Sequence, residues 1–182
     1  MIRLFIALKI PADVREKIFN LPKEIIKNYN DYKWEKFDKI HLTLKFIGEV
    51  KKDLIQPIIE SMKFIENYSA FECSFTKLGF FYRFKEPKTL WLGLSLDDTV
   101  KELVKQLNEN LAQYNIPIEK RDFRPHLTMM RIKGRVNKNF IDSFLNFRVE
   151  PEKFISNEIS LMESKLEPAG SIYSDLKVFN LK

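Results

Sequence analysis

The chain holds one cysteine, five glycines and two histidines in 182 residues. A lone thiol, Cys73, rules out an intrachain disulfide and removes any reason to expect a disulfide-stapled secreted domain. So few glycines exclude collagen-like and low-complexity chains. They also leave no Gly-rich phosphate loop, which argues against ATP-driven ligation. No Gly-x-Ser-x-Gly elbow occurs, and Cys73 lies in a Phe-rich stretch with no histidine nearby, so serine and cysteine hydrolases drop out. Long hydrophobic runs are missing as well. Leu4-Phe5-Ile6-Ala7-Leu8 is only five residues long before Lys9 interrupts it. That is too short for a signal sequence or a membrane span, so a cytoplasmic protein is expected.

What is present describes an ordinary globular domain: 45% hydrophobic and 31% charged residues, with sixteen phenylalanines to fill a core. The length suits one domain, residues 1–182, with two lobes sharing that core. A net charge of +6 favours anionic partners such as nucleic acid or phosphorylated metabolites, or simply keeps the surface solvated.

Periodicity predicts a buried strand over Ile2 to Ile10 and an amphipathic stretch from Pro11, broken by Pro22 into two short helices. A short strand over Trp34 to Phe37 precedes a half-buried strand over His41 to Phe46. A helix from Asp53 to about Asn67 follows, then strands over Phe71 to Phe80 and Leu90 to Leu96, separated by a basic, aromatic loop at 82–88. The clearest helix carries Val100, Leu103, Val104, Leu107 and Leu111 on one face. A strand over Arg124 to Ile132, a helix around Phe140 to Phe147, and strands over Phe154 to Met162 and Ile172 to Leu181 flanking an Ala169-Gly170 turn complete the chain. The same element order runs through 41–96 and 126–181, a repeat of about 85 residues that predicts a duplication.

Both histidines occur in one context, His41-Leu42-Thr43-Leu44 and His126-Leu127-Thr128-Met129. In a strand, residues two apart share a face. His41 therefore points with Thr43, and His126 with Thr128, while Leu42, Leu44, Phe46, Leu127 and Met129 are expected in the core. If a pseudo-twofold axis relates the halves, the two pairs meet across one groove. Two imidazoles titrating near neutrality can then act as general base and general acid on opposite sides of a phosphorus centre. The threonine hydroxyls would donate to its non-bridging oxygens. Catalytic metal centres gather more ligands than two histidines on separate strands supply, so no metal is expected.

These motifs resemble the paired His-x-Thr-x motifs of the two-histidine phosphoesterase superfamily, in its RNA 2′,3′-cyclic phosphodiesterase branch, also called the 2′-5′ RNA ligase family. Arg3-Leu4-Phe5-Ile6-Ala7-Leu8, Lys45-Phe46-Ile47-Gly48-Glu49-Val50, Trp91-Leu92-Gly93, Phe123-Arg124-Pro125 and Ser164-x-Leu166 leading to Gly170-x-x-Tyr173 extend the likeness nearly end to end. The resemblance implies an α+β, bilobal fold with an antiparallel sheet and flanking helices in each lobe, the active site lying in the groove between them. It implies opening of an RNA 2′,3′-cyclic phosphate to a 2′-phosphomonoester without cofactor, with reversible 2′-5′ joining as a companion activity. It assigns His41 as proton donor and His126 as proton acceptor; the residues alone leave that order open.

Arg131, five places after His126, is the candidate phosphate ligand. Strict alternation puts it on the wrong face, so a bulge or strand end has to redirect it. Lys45 falls on the His41 face and is a second candidate for the phosphate. Met130 falls on the His126 face. Tyr173 and Phe123 are the leading candidates to stack a terminal base, ahead of Trp34, Trp91 and Tyr82. The partner expected is RNA with a cyclic phosphate end, tRNA-derived ends included; nothing demands more than a monomer. A non-catalytic module holding an RNA end in the same groove is the competing reading.

Overall fold

A computed structural model describes residues 1–168 and 170–182. Among these described residues, eight strands form one antiparallel sheet: β1 (Ile2–Lys9), β2 (His41–Val50), β3 (Phe71–Arg83), β4 (Glu86–Leu96), β5 (His126–Arg131), β6 (Lys153–Ser156), β7 (Glu158–Glu167) and β8 (Gly170–Asn180). The helices are α1 (Ala12–Ile25), α2 (Ile55–Ser61), α3 (Thr99–Ala112) and α4 (Lys138–Asn146). Strand order is β6-β3-β4-β5-β2-β1-β7-β8. The α+β class expected from the sequence is therefore the class observed.

The sheet has two four-stranded halves, which meet where Leu42 of β2 pairs with Leu127 of β5. They do not coincide with the spans 41–96 and 126–181. The strands that follow the first motif, β3 and β4, lie beside β5, whereas β7 and β8 close the half containing β1 and β2. The unit that recurs is strand, helix, motif strand: β1-α1-β2 and β4-α3-β5. Their registers match residue for residue. Leu8 pairs with Leu42 and Lys9 with His41, as Leu92 pairs with Leu127 and Gly93 with His126.

Both motif strands carry an irregularity just after the threonine. In β2 the register steps from Ala7↔Thr43 to Ile6↔Lys45, leaving Leu44 as an extra residue. In β5 it steps from Trp91↔Thr128 to Leu90↔Met130, leaving Met129 extra. A bulge reverses the facing of every later side chain. Leu44 and Lys45 are accordingly buried in succession, as are Met129 and Met130. The Met129 carbonyl accepts a hydrogen bond from the Glu35 N–H at 2.8 Å, so the bulge leaves that group satisfied.

The core joins one face of the strands to the helices. Leu4, Ile6 and Leu8 of β1 and Leu90 and Leu92 of β4 are fully buried there with Ile18, Leu103 and Leu107. Several local expectations change. The first helix runs through Pro22, because Val14, Ile18 and Pro22 form its buried stripe and the proline lies in its last turn. Trp34 to Phe37 is no strand; it leads into a short 3₁₀ turn at Phe37–Lys39. The 53–67 helix is only α2, flanked by 3₁₀ turns. The 82–88 loop is a tight hairpin in which Phe84 and Lys85 adopt φ of 51° and 65°, with Arg83 pairing Glu86. Phe154 to Met162 divides into β6 and β7, which join opposite halves of the sheet. The turn expected at Ala169-Gly170 rests partly on Ala169, outside the described residues.

Candidate active site

Antiparallel pairing at Leu42↔Leu127 sets the site. One step either way opposes His41 to Thr128 and Thr43 to His126, so all four side chains leave the same face of the sheet. They stand on the face opposite the main core, where the strands of the two halves diverge.

His41 is half-buried at the start of β2. Its Nε2 lies 3.1 Å from Thr43 Oγ1. Its ring rests against Phe5, centroids 5.0 Å apart, and meets the edge of Tyr173 at 5.5 Å. Burial lowers its pKa to about 4; a backbone hydrogen bond at Lys39 opposes this, and the positive charges of Arg131 and Lys9 reinforce it.

His126 is held by the second half in a parallel way. Its Nδ1–H donates to the Arg124 carbonyl at 2.7 Å. That bond fixes the tautomer and leaves Nε2 with a lone pair for a proton. Phe81 meets it edge-on at 4.7 Å and stacks in turn near Trp91 at 5.4 Å. The indole lies directly over Gly79, where a β-carbon would collide with the ring, so only glycine permits this contact. Burial lowers the His126 pKa too, and Arg131 adds to the effect.

Arg131 is thus the cation felt by both imidazoles. The Met129 bulge turns it onto the histidine face, where its side chain is 62% exposed and its Nε lies 3.6 Å from a Glu35 carboxylate oxygen. Met130, expected beside His126, is instead buried in the core by the same bulge.

Lys45 is a correction. The Leu44 bulge turns it inward, where it is 5% exposed and donates to Asn108 Oδ1 at 2.6 Å and to the Pro117 carbonyl at 2.5 Å. An ammonium held this way is not free to bind phosphate. It ties β2 to the segment 113–125, which carries Phe123 and Arg124 toward His126. The same Asn108 Oδ1 accepts from the Glu119 N–H at 3.0 Å, and Glu119 pairs with Arg121 through both carboxylate oxygens.

Phe46 corrects the alternation argument in the other direction. Expected in the core, it is 52% exposed, with the Arg3 guanidinium 5.0 Å from its ring centre. It lines a hollow of 990 Å³ together with Thr43, Phe81, Tyr82, Phe123 and His126. Tyr173 lies on the other side of the histidines, in a cleft of 530 Å³ that also includes Arg131 and Lys39. The two aromatic candidates therefore border different hollows. Trp34 packs on Phe140 and Phe144 and donates its N–H to the Tyr29 carbonyl. Phe46 and Phe81 escaped the sequence reading; the only signal for Phe46 was its place three residues after Thr43, matching Arg131 after Thr128.

Comparison with known proteins shows the family and the fold. The model of the family described as LigT-like phosphoesterase matches residues 8–91 and 94–173. Its break falls within β4. An RNA 2′,3′-cyclic phosphodiesterase of Methanothermobacter thermautotrophicus is 28% identical over 183 residues, covering 99% of each chain. One of Archaeoglobus fulgidus is 31% identical, covering 97% of this chain and 99% of its own. The crystal structure of E. coli LigT with 3′-AMP shares the fold, with a TM-score of 0.78 at 23% identity over 100% of this chain and 98% of that one. A protein of Thermus thermophilus superposes with a TM-score of 0.79 at 22% identity, over 98% of this chain and 97% of its own. This chain belongs to the LigT-like phosphoesterase family.

Proposed function

We propose that the protein opens 2′,3′-cyclic phosphates at RNA ends to 2′-phosphomonoesters, with His41 and His126 as paired acid and base. The observation that carries the reading is the convergence of both histidines and both threonines on one sheet face. The names of the relatives at 28% and 31% identity support the substrate class.

In this scheme the free Nε2 of His126 removes a proton from water as the oxygen attacks phosphorus opposite O3′. The P–O3′ bond breaks, and His41 delivers its proton to O3′, leaving the phosphate on O2′. Thr43 and Thr128 donate to the non-bridging oxygens, and Arg131 offsets the charge that builds there. His41 has to enter as imidazolium. Its site disfavours that form when empty, and a bound phosphodiester anion shifts the balance toward it. The scheme draws on no metal and no cofactor.

The 990 Å³ hollow beside His126 has room for a nucleoside. An RNA 5′-hydroxyl placed there would replace water, which is the 2′-5′ joining reaction. Cytoplasmic RNA ends, tRNA fragments among them, are the proposed substrates, with the protein acting as a monomer.

The test is a short RNA ending in a 2′,3′-cyclic phosphate, incubated with the protein and a chelator. Conversion to the 2′-phosphate isomer is the expected result. Binding without turnover would favour the non-catalytic module, and a 3′-phosphate product would reject the assigned geometry.

A further inference from the structure

Of the hollows around the site, the one beside Tyr173 and the one beside His126 differ in charge. The 530 Å³ cleft that begins at Tyr173 is bordered by Lys33, Lys36, Lys39, Arg131, Lys133 and Arg135, against the acids Asp31 and Glu35. Among the described residues, only Arg131 of these six cations takes part in an ion pair. The 990 Å³ hollow is different. Its Arg121 is paired with Glu119, its Lys45 is bound to Asn108 and Pro117, and Asp122 is a second acid among its lining. Five aromatic rings, Phe46, Phe80, Phe81, Tyr82 and Phe123, make up one part of its wall.

We propose that the basic cleft bordered by Lys133, Arg135, Lys33 and Lys36 is the seat of the RNA strand that runs 5′ from the cyclic phosphate. This deepens the function proposed above and rests on it. A single strand carries one charge per nucleotide, and a row of unneutralised cations is the feature that recognises it. Reaction geometry gives the same direction. In an in-line opening O3′ is the displaced apical oxygen, on the side of the acid, and the ribose that carries it, still joined to phosphorus through O2′, lies toward that side. His41 is the acid in the proposed scheme, and its ring edge meets Tyr173 at the mouth of this cleft. The water side then falls to His126 and the aromatic hollow. Segments 31–39 and 131–136, which precede β2 and follow β5, supply most of the cleft wall, so strand contacts begin directly beyond the two motifs.

The test uses the full chain with Lys133→Gln combined with Arg135→Gln, both exposed positions, and Lys120→Gln as the variant of the other hollow. Binding of an octanucleotide ending in a 2′-phosphate is followed by fluorescence anisotropy over a range of salt. Each lost contact to a single strand lowers the slope of log Kd against log salt by about 0.7, so the double variant should lose about 1.4. Turnover is measured in parallel as the ratio of kcat/KM for a cyclic-ended octamer to that for a mononucleoside cyclic phosphate. The double variant should lower this ratio about tenfold, consistent with two partly exposed charges. An unchanged slope and ratio in the double variant, or a loss confined to Lys120→Gln, overturns the proposal. If wild-type protein turns over neither substrate, the enzymatic reading fails on its own, and the binding slopes still decide where the strand lies.

Discussion

Phe46 stands in the first motif strand where Arg131 stands in the second. Each follows its threonine by three positions, and each is turned to the histidine face by a one-residue bulge, at Leu44 and at Met129. The two units thus share the backbone device and differ in the side chain, so that one end of the site is cationic and the other aromatic. Arg131→Ala removes a charge-assisted contact worth about 1.5–3 kcal/mol, and kcat/KM for cyclic-phosphate opening should fall roughly tenfold to a hundredfold. Arg131→Lys should recover only part of that loss, because an ammonium lacks the forked donor set. Phe46→Ala should reduce 2′-5′ joining about tenfold more than hydrolysis, on the scale of one lost base stack. Steady-state kinetics in both directions check these three outcomes.

Both histidines are less basic than free imidazole, His41 at about 4. The pH profile of kcat/KM, which reports the free enzyme, should therefore be bell-shaped with both limbs below 6.5. Arg131→Gln removes a positive charge from beside both rings, so both limbs should move to higher pH. Linkage gives a second consequence. Between about pH 4 and 6.5 the unfolded chain binds a proton at His41 that the folded protein does not. The corresponding stability is present above 6.5 and is lost as pH falls through that window. Urea denaturation of His41→Gln beside wild type should show a shallower loss in the same interval.

Single alanine substitutions at His41 and His126 should each lower turnover by about two to four orders of magnitude. Thr43→Val, which removes one neutral hydroxyl contact of about 1 kcal/mol, should cost only several-fold. Losses under tenfold for both histidines would remove them from proton transfer.

Lys45→Met keeps the length of the side chain but leaves Asn108 Oδ1 and the Pro117 carbonyl without their ammonium donor. The expected destabilisation is about 2 kcal/mol, or roughly 4–8 °C in Tm for a chain of this size. Because Lys45 restrains the segment leading to Arg124, whose carbonyl holds the His126 ring, the limb of the pH profile due to His126 should shift as well. A Tm change with an unmoved profile would limit Lys45 to a purely structural role.

The motif pair was legible because strand alternation is local: two residues apart means one face. What alternation could not supply was the bulge. It misplaced Lys45, Phe46 and Met130 together, since all three follow the extra residue, whereas Arg131 could be flagged only as needing such a redirection. The division of the sheet was hidden for a different reason. β7 pairs with β1 more than 150 residues away in sequence, and β3 with β6 about 80 away, and such pairing leaves no local periodicity. The hairpin at Phe84-Lys85 was missed because it takes positive φ without the Gly or Asn that usually marks such a turn.

The chain contains only two histidines, so their ring nitrogens give two sets of signals in a ¹⁵N-labelled sample. Titration with a nucleoside 2′-monophosphate tests most directly whether both imidazoles face one phosphorus. The expected result is that a single equivalent shifts the resonances of His41 and His126 together and raises both pKa values, with the Nδ1–H of His126 retained. A response from one ring alone, or from the two rings at separate ligand affinities, would contradict the account.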